Sequence, residues 1–485
     1  MVGREQEIKN LNRLYDRNKA ELVAIYGRRR VGKTFLVDEV FADRITFRHA
    51  GLSPEGEEGV GLLKAQLDHF YNSLVIQGME ECEKPGNWLD AFLLLEKYLQ
   101  KKDDGSRQLV FIDELPWLDT PRSGFLRAFE GFWNNWGCHR KNLMVVVCGS
   151  ANSWILDNLI NNHGGLYNRV TYQIKLSPFS LKECEELYNE NHVALSNYDC
   201  VQSYMILGGI PYYMEYFDPE LSLAQNIDRL FFERNSMLKD EYDRLFESVF
   251  VNPEAMKRIL EVLSTRNAGY TRKEISERTG FSDGGGLSRY LNALVTSDFV
   301  AKYVPFGFGK REEHYKLTDP FCLFYLHFRE VIDRGDDEYW QHNLAAQSVV
   351  VWRGYSFENV CFNHIPQIKK ALGISGVTTS ASAWSKREDD EEGAQIDLLL
   401  LRNDNVLNMC EIKFYGDDFT VTGDYYRKLL RRQEILMKEV NKKTVVRSTL
   451  ITTFGLKKNE YSGVFTNVIT LKDLFTKTSH TEKVC

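Results

Sequence analysis

Residues 22–26, 109–112, 143–148 and 171–176 form short apolar runs, and the longer stretches between them place apolar residues at helical spacing. Strands covered on both faces read as such runs, so this rhythm predicts an α/β domain with a parallel sheet over residues 1–240. The pattern changes at about 253. Residues 255–263 have helical spacing, Thr271 with Glu274 forms a capping box that opens a helix over 272–278, and 287–294 reads as a third helix after Gly284, Gly285 and Gly286. Two short alternating strands follow, at 299–305 and 314–317. Three helices and two strands in that order read as a winged helix over 253–320. Residues 340–485 open with an aromatic-rich helix at 352–362, continue with strand-like runs at 396–401, 406–414 and 449–453, and place a basic helix, 425–440, between the last two. This predicts a third, small α/β domain. Charge is concentrated at Lys386, Arg387, Glu388, Asp389, Asp390, Glu391 and Glu392, which reads as an exposed turn.

Composition narrows the class. With 61 basic and 68 acidic residues the 485-residue chain carries a formal charge of −7, and it is 43% hydrophobic and 27% charged. Those values exclude disorder, a collagen-like repeat and a disulfide scaffold, and the length suits about three domains of roughly 150 residues. No window approaches ~18 uninterrupted apolar residues, and Arg4 and Glu5 fall where a secretory signal would be apolar. The expectation is a soluble, cytoplasmic chain with no membrane partner. The nine cysteines are scattered without a CxxC pair, which points to buried thiols rather than zinc or redox chemistry. Mild acidity argues against a chain coated in basic DNA-binding patches, although a local basic face does not register in a net count.

Candidate chemistry begins with Gly27, Arg28, Arg29, Arg30, Val31, Gly32, Lys33 and Thr34, which spell GxxxxGK[ST] between the predicted strand 22–26 and a predicted helix 34–41. A phosphate chain is wrapped by backbone N–H groups, which glycines let it approach, and the helix N-terminus favours its charge. Gly27, Arg30, Val31, Gly32, Lys33, Thr34 and Phe35 are therefore the predicted nucleotide-binding residues. Lys33 is suited to the β and γ phosphates and Thr34 to Mg²⁺. The run 109–112 ends in Asp113 and Glu114. Adjacent carboxylates at a strand end usually cap a helix; beside a phosphate loop they read as a Mg²⁺ holder, Asp113, and a residue that polarises the attacking water, Glu114.

The run Val2 to Glu7, the strand ending in Asp113 and Glu114, Cys148-Gly149-Ser150, Gly165 to Arg169 and Gly208-Gly209-Ile210-Pro211 together resemble the archaeal-type DEXX-box ATPases, P-loop proteins close to the AAA+ and STAND groups. The resemblance covers residues 1–240. It implies that Ser150 or Asn152 senses the γ phosphate and that Arg169 is an arginine finger. It also implies that Gly209 and Pro211 open a helical lid beside the adenine, that Gly3, Arg4 and Glu5 border the base, and that a winged helix follows. A finger offered in trans requires a homo-oligomer; one acting in cis does not. The predicted third helix of the winged helix carries one basic residue, Arg289, a poor DNA-reading face, whereas Arg272, Lys273, Arg278, Lys302, Lys310 and Arg311 supply charge nearby. DNA contact and protein packing are both open to this segment.

Asp397 lies in the strand 396–401, and Glu411 and Lys413 in the next. Strand alternation points Glu411 and Lys413 to one face, and a hairpin brings Asp397 beside them. Two carboxylates and a lysine suit metal-assisted phosphodiester hydrolysis. The order of a helix with Glu358, the two strands and the basic helix resembles the PD-(D/E)XK nuclease fold over about 352–475. That resemblance makes Asp397 and Glu411 metal ligands, Lys413 the catalytic lysine, Glu358 an accessory acid and Gln433 a supporting residue. The acidic stretch at 388–392 would repel a phosphate backbone unless turned away.

Three readings follow. The leading one is an ATP-hydrolysing protein, with ATP and Mg²⁺ as cofactors, whose nucleotide state moves a winged helix and a nuclease-like module acting on DNA. The second is a STAND-like regulatory switch whose nuclease-like domain binds a partner and cuts nothing. The third is ATP-dependent assembly without nucleic acid.

Overall fold

The computed structural model describes residues 2–53, 60–161, 164–309, 312–388 and 391–478. The chain divides into two units, Met1–Pro178 with Glu247–Val251, and Phe179–Phe246 with Asn252–Cys485. The apolar rhythm carries the first domain to 240; the division falls at Pro178, and 179–246 groups with the second unit.

The first unit is α/β. Its strands are β1 (Glu21–Tyr26), β2 (Phe47–Ala50), β3 (Gln108–Asp113), β4 (Leu143–Gly149) and β5 (Tyr172–Lys175), all parallel in the order β2-β3-β4-β1-β5. Every residue of β1 and β4 is buried, which is why both read as unbroken apolar runs. On one face Leu22, Ala24, Val110, Ile112, Val145 and Val147 pack with Trp88, Phe92, Phe129 and Phe132 from the helices Trp88–Lys101 and Phe125–Asn135. The helix Lys33–Phe41 packs on β4, with the helix Glu5–Tyr15 against it. The strand order matters for the site. Because β4 lies between β1 and β3, the residue that follows β4 stands between the phosphate loop after β1 and the acids that end β3.

The second unit contains helices Pro253–Ser264, Arg272–Thr279 and Gly285–Thr296 with a small antiparallel sheet, β6 (Tyr270–Thr271), β7 (Val300–Tyr303) and β8 (His314–Leu317), in the order β6-β8-β7. The capping box forms as its sequence predicts, with Thr271 Oγ1 accepting from the Glu274 N–H. The third helix starts earlier than the spacing suggests, taking in Gly285 and Gly286. Arg272 is spent on Asp283 at 2.5 Å, Lys302 on Glu313 at 3.1 Å and Lys273 on Glu277 at 3.9 Å, so three of the basic residues expected to supply charge here are paired internally. Lys310 and Arg311 lie outside the described residues.

A second five-stranded sheet follows: β9 (Thr379–Glu388), β10 (Glu391–Arg402), β11 (Val406–Lys413), β12 (Val445–Thr452) and β13 (Asn467–Ile469), in the order β13-β12-β11-β10-β9. β9, β10 and β11 are antiparallel neighbours; β12 and β13 run parallel to β11, and the helix Gly423–Glu439 connects β11 to β12. The charged stretch at 386–392 is mostly strand rather than turn, because β9 runs to Glu388 and β10 begins at Glu391; positions 389 and 390 lie outside the described residues. Among the described residues no helix is long and apolar enough to cross a membrane. Of the described cysteines, Cys82 is exposed, Cys138 half-buried and the others buried.

Candidate functional sites

In the first unit, Gly27 follows β1 with φ 153°, and a Cβ there would stand 2.1 Å from the Leu176 carbonyl oxygen, so glycine is required. Arg30 at φ 69° and Gly32 at φ 88° turn the chain so that the helix beginning at Lys33 opens toward the loop, the arrangement of an anion nest. Val31 is buried, and Phe35 exposes 55% of its surface on the first turn. The Lys33 side chain curls back over the loop. Its Nζ donates to the carbonyls of Gly27 and Arg28, each at 3.0 Å, and to Ser150 Oγ at 3.1 Å. Burial pulls this ammonium below its usual range, against the charges of Glu114 and Asp113. Asn152 Oδ1 accepts from the Gly27 N–H at 2.8 Å. Arg4 donates to the carbonyls of Ser177 at 2.7 Å and Val31 at 3.4 Å, tying the N-terminal segment to the loop.

The acids are held by neutral donors. Asp113 Oδ2 accepts from Thr34 Oγ1 at 2.6 Å, and Oδ1 accepts from the Glu114 N–H at 2.9 Å and from Cys148 Sγ at 2.7 Å. Glu114 adopts φ 44°, an uncommon conformation for a non-glycine residue that aims its side chain. Its carboxylate accepts from Ser150 twice, from N–H at 3.0 Å and from Oγ at 2.6 Å. Ser150 thus receives a hydrogen bond from Lys33 and passes one to Glu114, the outcome of its place after the middle strand. Thr34 and Asp113 offer the hard oxygen donors that suit Mg²⁺.

The structure brings together Lys33, Thr34, Asp113, Glu114, Ser150 and Asn152. Arg169 is exposed in a turn, its N–H bonded to the Leu166 carbonyl. That turn is anchored upstream, where the Gly165 carbonyl accepts from Asn134 Nδ2 at 2.8 Å and Leu166 is buried. Gly209 and Pro211 belong to the second unit. Gly209 takes φ 67° and its carbonyl accepts from the Phe179 N–H at 2.7 Å, while Pro211 opens the helix Pro211–Met214.

The second unit holds an acidic cluster. β10 and β11 pair with Leu398 opposite Cys410, and one step further Asp397 comes opposite Glu411. On its other edge β10 carries an extra residue between Ile396 and Leu399, so Asp397 sits in a bulge, a device that re-aims side chains. Glu411 is buried and fully engaged. Lys413 Nζ lies 2.9 Å from its Oε1, Arg432 Nη1 donates to both oxygens at 3.2 and 3.0 Å, and Tyr425 donates its hydroxyl. Burial pushes this carboxyl up, but the charges of Lys413 and Arg432 outweigh it and hold it below its usual range. Asp397 and Glu358 behave oppositely: burial raises both, Glu411 adds to the effect at Asp397, and Asp397 adds to it at Glu358. Asn267 donates to Glu358, and the buried Lys316 faces both Glu358 and Asp397. Gln433 turns to β12, accepting from Ser448 Oγ at 3.4 Å.

Three carboxylates, Glu358, Asp397 and Glu411, thus meet three cations, Lys316, Lys413 and Arg432. Among the described residues no group of three or more His, Cys, Asp or Glu side chains is arranged to hold a metal ion. As it stands the cluster, with both Glu411 oxygens occupied and its charge balanced, does not fit a divalent cation. Lys316, Asn267, Arg432 and Tyr425 were not singled out as site residues in the sequence. Tyr425 and Arg432 had a usable signal, since seven residues along a helix return to the same face.

Residues 1–217 match the family model of an ATPase domain predominantly from Archaea. That stretch is similar to archaeal-type ATPase domains and carries the loop Gly27–Thr34. An uncharacterised protein of Methanocaldococcus jannaschii is 26% identical over 446 residues, covering 90% of this chain and 92% of its own. An uncharacterised ATP-binding protein of the same organism is 44% identical over 43 residues, which is 9% of this chain and 73% of that one. Among solved structures, a Walker-type ATPase of Pyrococcus abyssi aligns with 67% of this chain and 96% of its own at 17% identity and a TM-score of 0.45. The ORC2 protein of Aeropyrum pernix aligns with 71% of this chain and 96% of its own at 16% identity and a TM-score of 0.40.

Proposed function

We propose that the chain binds and hydrolyses ATP with Mg²⁺ at the loop Gly27–Thr34 and couples nucleotide state to a winged-helix segment, 253–320, and a PD-(D/E)XK-like segment, 340–485, that acts on DNA. One observation supports the catalytic half above all: Ser150 Oγ lies between Lys33 Nζ and Glu114, at 3.1 and 2.6 Å. Lys33 is held over the loop by carbonyl and hydroxyl oxygens, so it exchanges them for phosphate oxygens at little cost in desolvation. Thr34 and Asp113 are the residues to hold Mg²⁺, whose chemistry is to neutralise charge on the phosphates. Ser150 restrains Glu114, and a shift of its hydroxyl toward phosphate frees the carboxylate to accept the proton of an attacking water. Such a chain senses its own ligand. The test is ATP turnover and nucleotide titration of wild type against Lys33→Ala; absence of nucleotide affinity, or affinity unchanged in the variant, overturns the reading. Within it Arg169 serves as a finger: Arg169→Ala should bind ATP normally while hydrolysis falls, and lost binding instead would refute that role.

The balanced charge of the acidic cluster favours a second reading, a STAND-like switch whose nuclease-like segment recognises a partner without cutting. Plasmid nicking by wild type, Asp397→Ala and Lys413→Ala with Mg²⁺ or Mn²⁺ separates the two. Nicking lost in both variants supports cleavage, and none under any nucleotide condition supports the switch.

A further inference from the structure

Lys316 is placed oddly for a strand lysine. On β8 its neighbours Tyr315 and Leu317 are buried, so alternation assigns Lys316 to the outer face, yet it is only 3% exposed. The helix Gln347–Asn363 covers that face, with Lys316 Nζ lying 4.6 Å over the Phe362 ring. Among the described residues it makes no hydrogen bond or ion pair, and the charges it faces are those of Glu358 and Asp397. Burial pulls its ammonium below the usual range while those two carboxyls resist. A buried ammonium aimed at buried acids is costly unless the acids need it.

Other contacts fasten the same segment to the same place. Asn267, in the loop before β6, donates to Glu358 and accepts from Asn359 Nδ2 at 3.4 Å. After β7, the Phe306 N–H donates to the Ala383 carbonyl at 3.2 Å and the Val304 carbonyl accepts from Ser382 Oγ at 3.0 Å, joining the chain to β9 beside the bulge that carries Asp397. The small sheet therefore reaches the acids from one side while Lys413 and Arg432 reach them from another.

We propose that Lys316 and Asn267 form a built-in counter-charge that docks segment 253–320 on Glu358 and Asp397 and excludes divalent metal ions from them. The proposal rests on the reading of these carboxylates as metal ligands. Lys316 supplies the positive charge that an ion would bring, and Asn267 occupies a carboxylate oxygen that an ion would need. Undocking the segment removes both at once, so a partner that draws 253–320 away, such as a nucleic-acid duplex, would open the acids to metal.

The test uses the full chain without nucleotide. Mn²⁺ binding is followed by electron paramagnetic resonance, counting only the site lost in Asp397→Asn, and hydrogen exchange is read at β6 and β8. Lys316→Met, close in shape but uncharged, should tighten Mn²⁺ at that site by roughly tenfold or more, the scale of removing one charge near the ion at an effective dielectric near 20. Exchange at β6 and β8 should quicken, Asn267→Ala should act in the same direction, and Lys316→Arg should match wild type. Equal Mn²⁺ affinity and equal exchange in wild type and Lys316→Met overturn the counter-charge. Faster exchange in Lys316→Met with no Asp397-dependent ion in either protein overturns the metal-ligand reading instead and leaves Lys316 as a docking charge alone.

Discussion

The two acidic sites of this protein handle charge in opposite ways. At the P-loop, Asp113 and Glu114 are held by hydroxyls, a thiol and backbone N–H groups, and Lys33 rests on oxygens rather than on either carboxylate. In the cluster around Glu411, each acid faces a cation of the chain itself. Neutral partners orient a charge without consuming it, whereas ionic partners consume it. The first arrangement is ready for a charged ligand. The second is already satisfied.

Removing Glu114's charge attacks the first half of this contrast most directly. Glu114→Gln keeps the acceptor for Ser150 and should lower ATP turnover by about 10²- to 10⁴-fold with ATP affinity intact, as single-turnover kinetics and nucleotide titration would register. The second half breaks at Arg432. Arg432→Met leaves a buried carboxylate short of a cation and should cost about 3 kcal/mol in urea unfolding followed by hydrogen exchange at β11. Lys33→Met sharpens the comparison because it should spare stability yet weaken ATP binding roughly 100-fold, about 2.7 kcal/mol. Ser150→Ala should have a smaller effect, about tenfold on turnover, since it removes one link between Lys33 and Glu114 and leaves both ends in place. A loss equal to that of Glu114→Gln would mean that Ser150 does more than restrain.

A pH titration tests whether the first unit is as free of ionic pairing in its core as at its site. His49 is buried against Phe47 and Phe70, with Nδ1 2.9 Å from Ser73 Oγ, and burial followed by the nearby His69 lowers its pKa to about 3. Its folded value lies below its unfolded one, so its contribution to stability is complete above about 6.5 and is lost as pH falls toward 3, at about 1.4 kcal/mol per unit. Hydrogen exchange at β2 should show that slope, and His49→Leu should flatten it.

Local pattern explains which parts of this picture are legible in the residues. β1, β3 and β4 declare themselves because both faces are covered, and Gly27 to Thr34 with Asp113 and Glu114 are sequence neighbours in two short runs. Alternation also sets Glu411 beside Lys413. The rest depends on what the fold brings from elsewhere. Ser150 bridges Lys33 and Glu114 only because β4 inserts between β1 and β3, an order that no local spacing encodes. Lys316 reads as a solvent-facing strand position until the helix Gln347–Asn363 covers it, and Asn267 has no pattern at all. The stretch 386–392 misleads because charge density does not mark the end of a strand, and β9 and β10 take in most of it.

The extra residue in β10 sets the direction of Asp397 through the backbone, not through attraction to its neighbours. Neutralising that acid should therefore leave the main chain where it is. Deleting a single position there would straighten the strand and swing the carboxyl off target while the apolar faces of the sheet stayed paired, so the aim of Asp397 is far more vulnerable to a change in spacing than to the loss of its own charge.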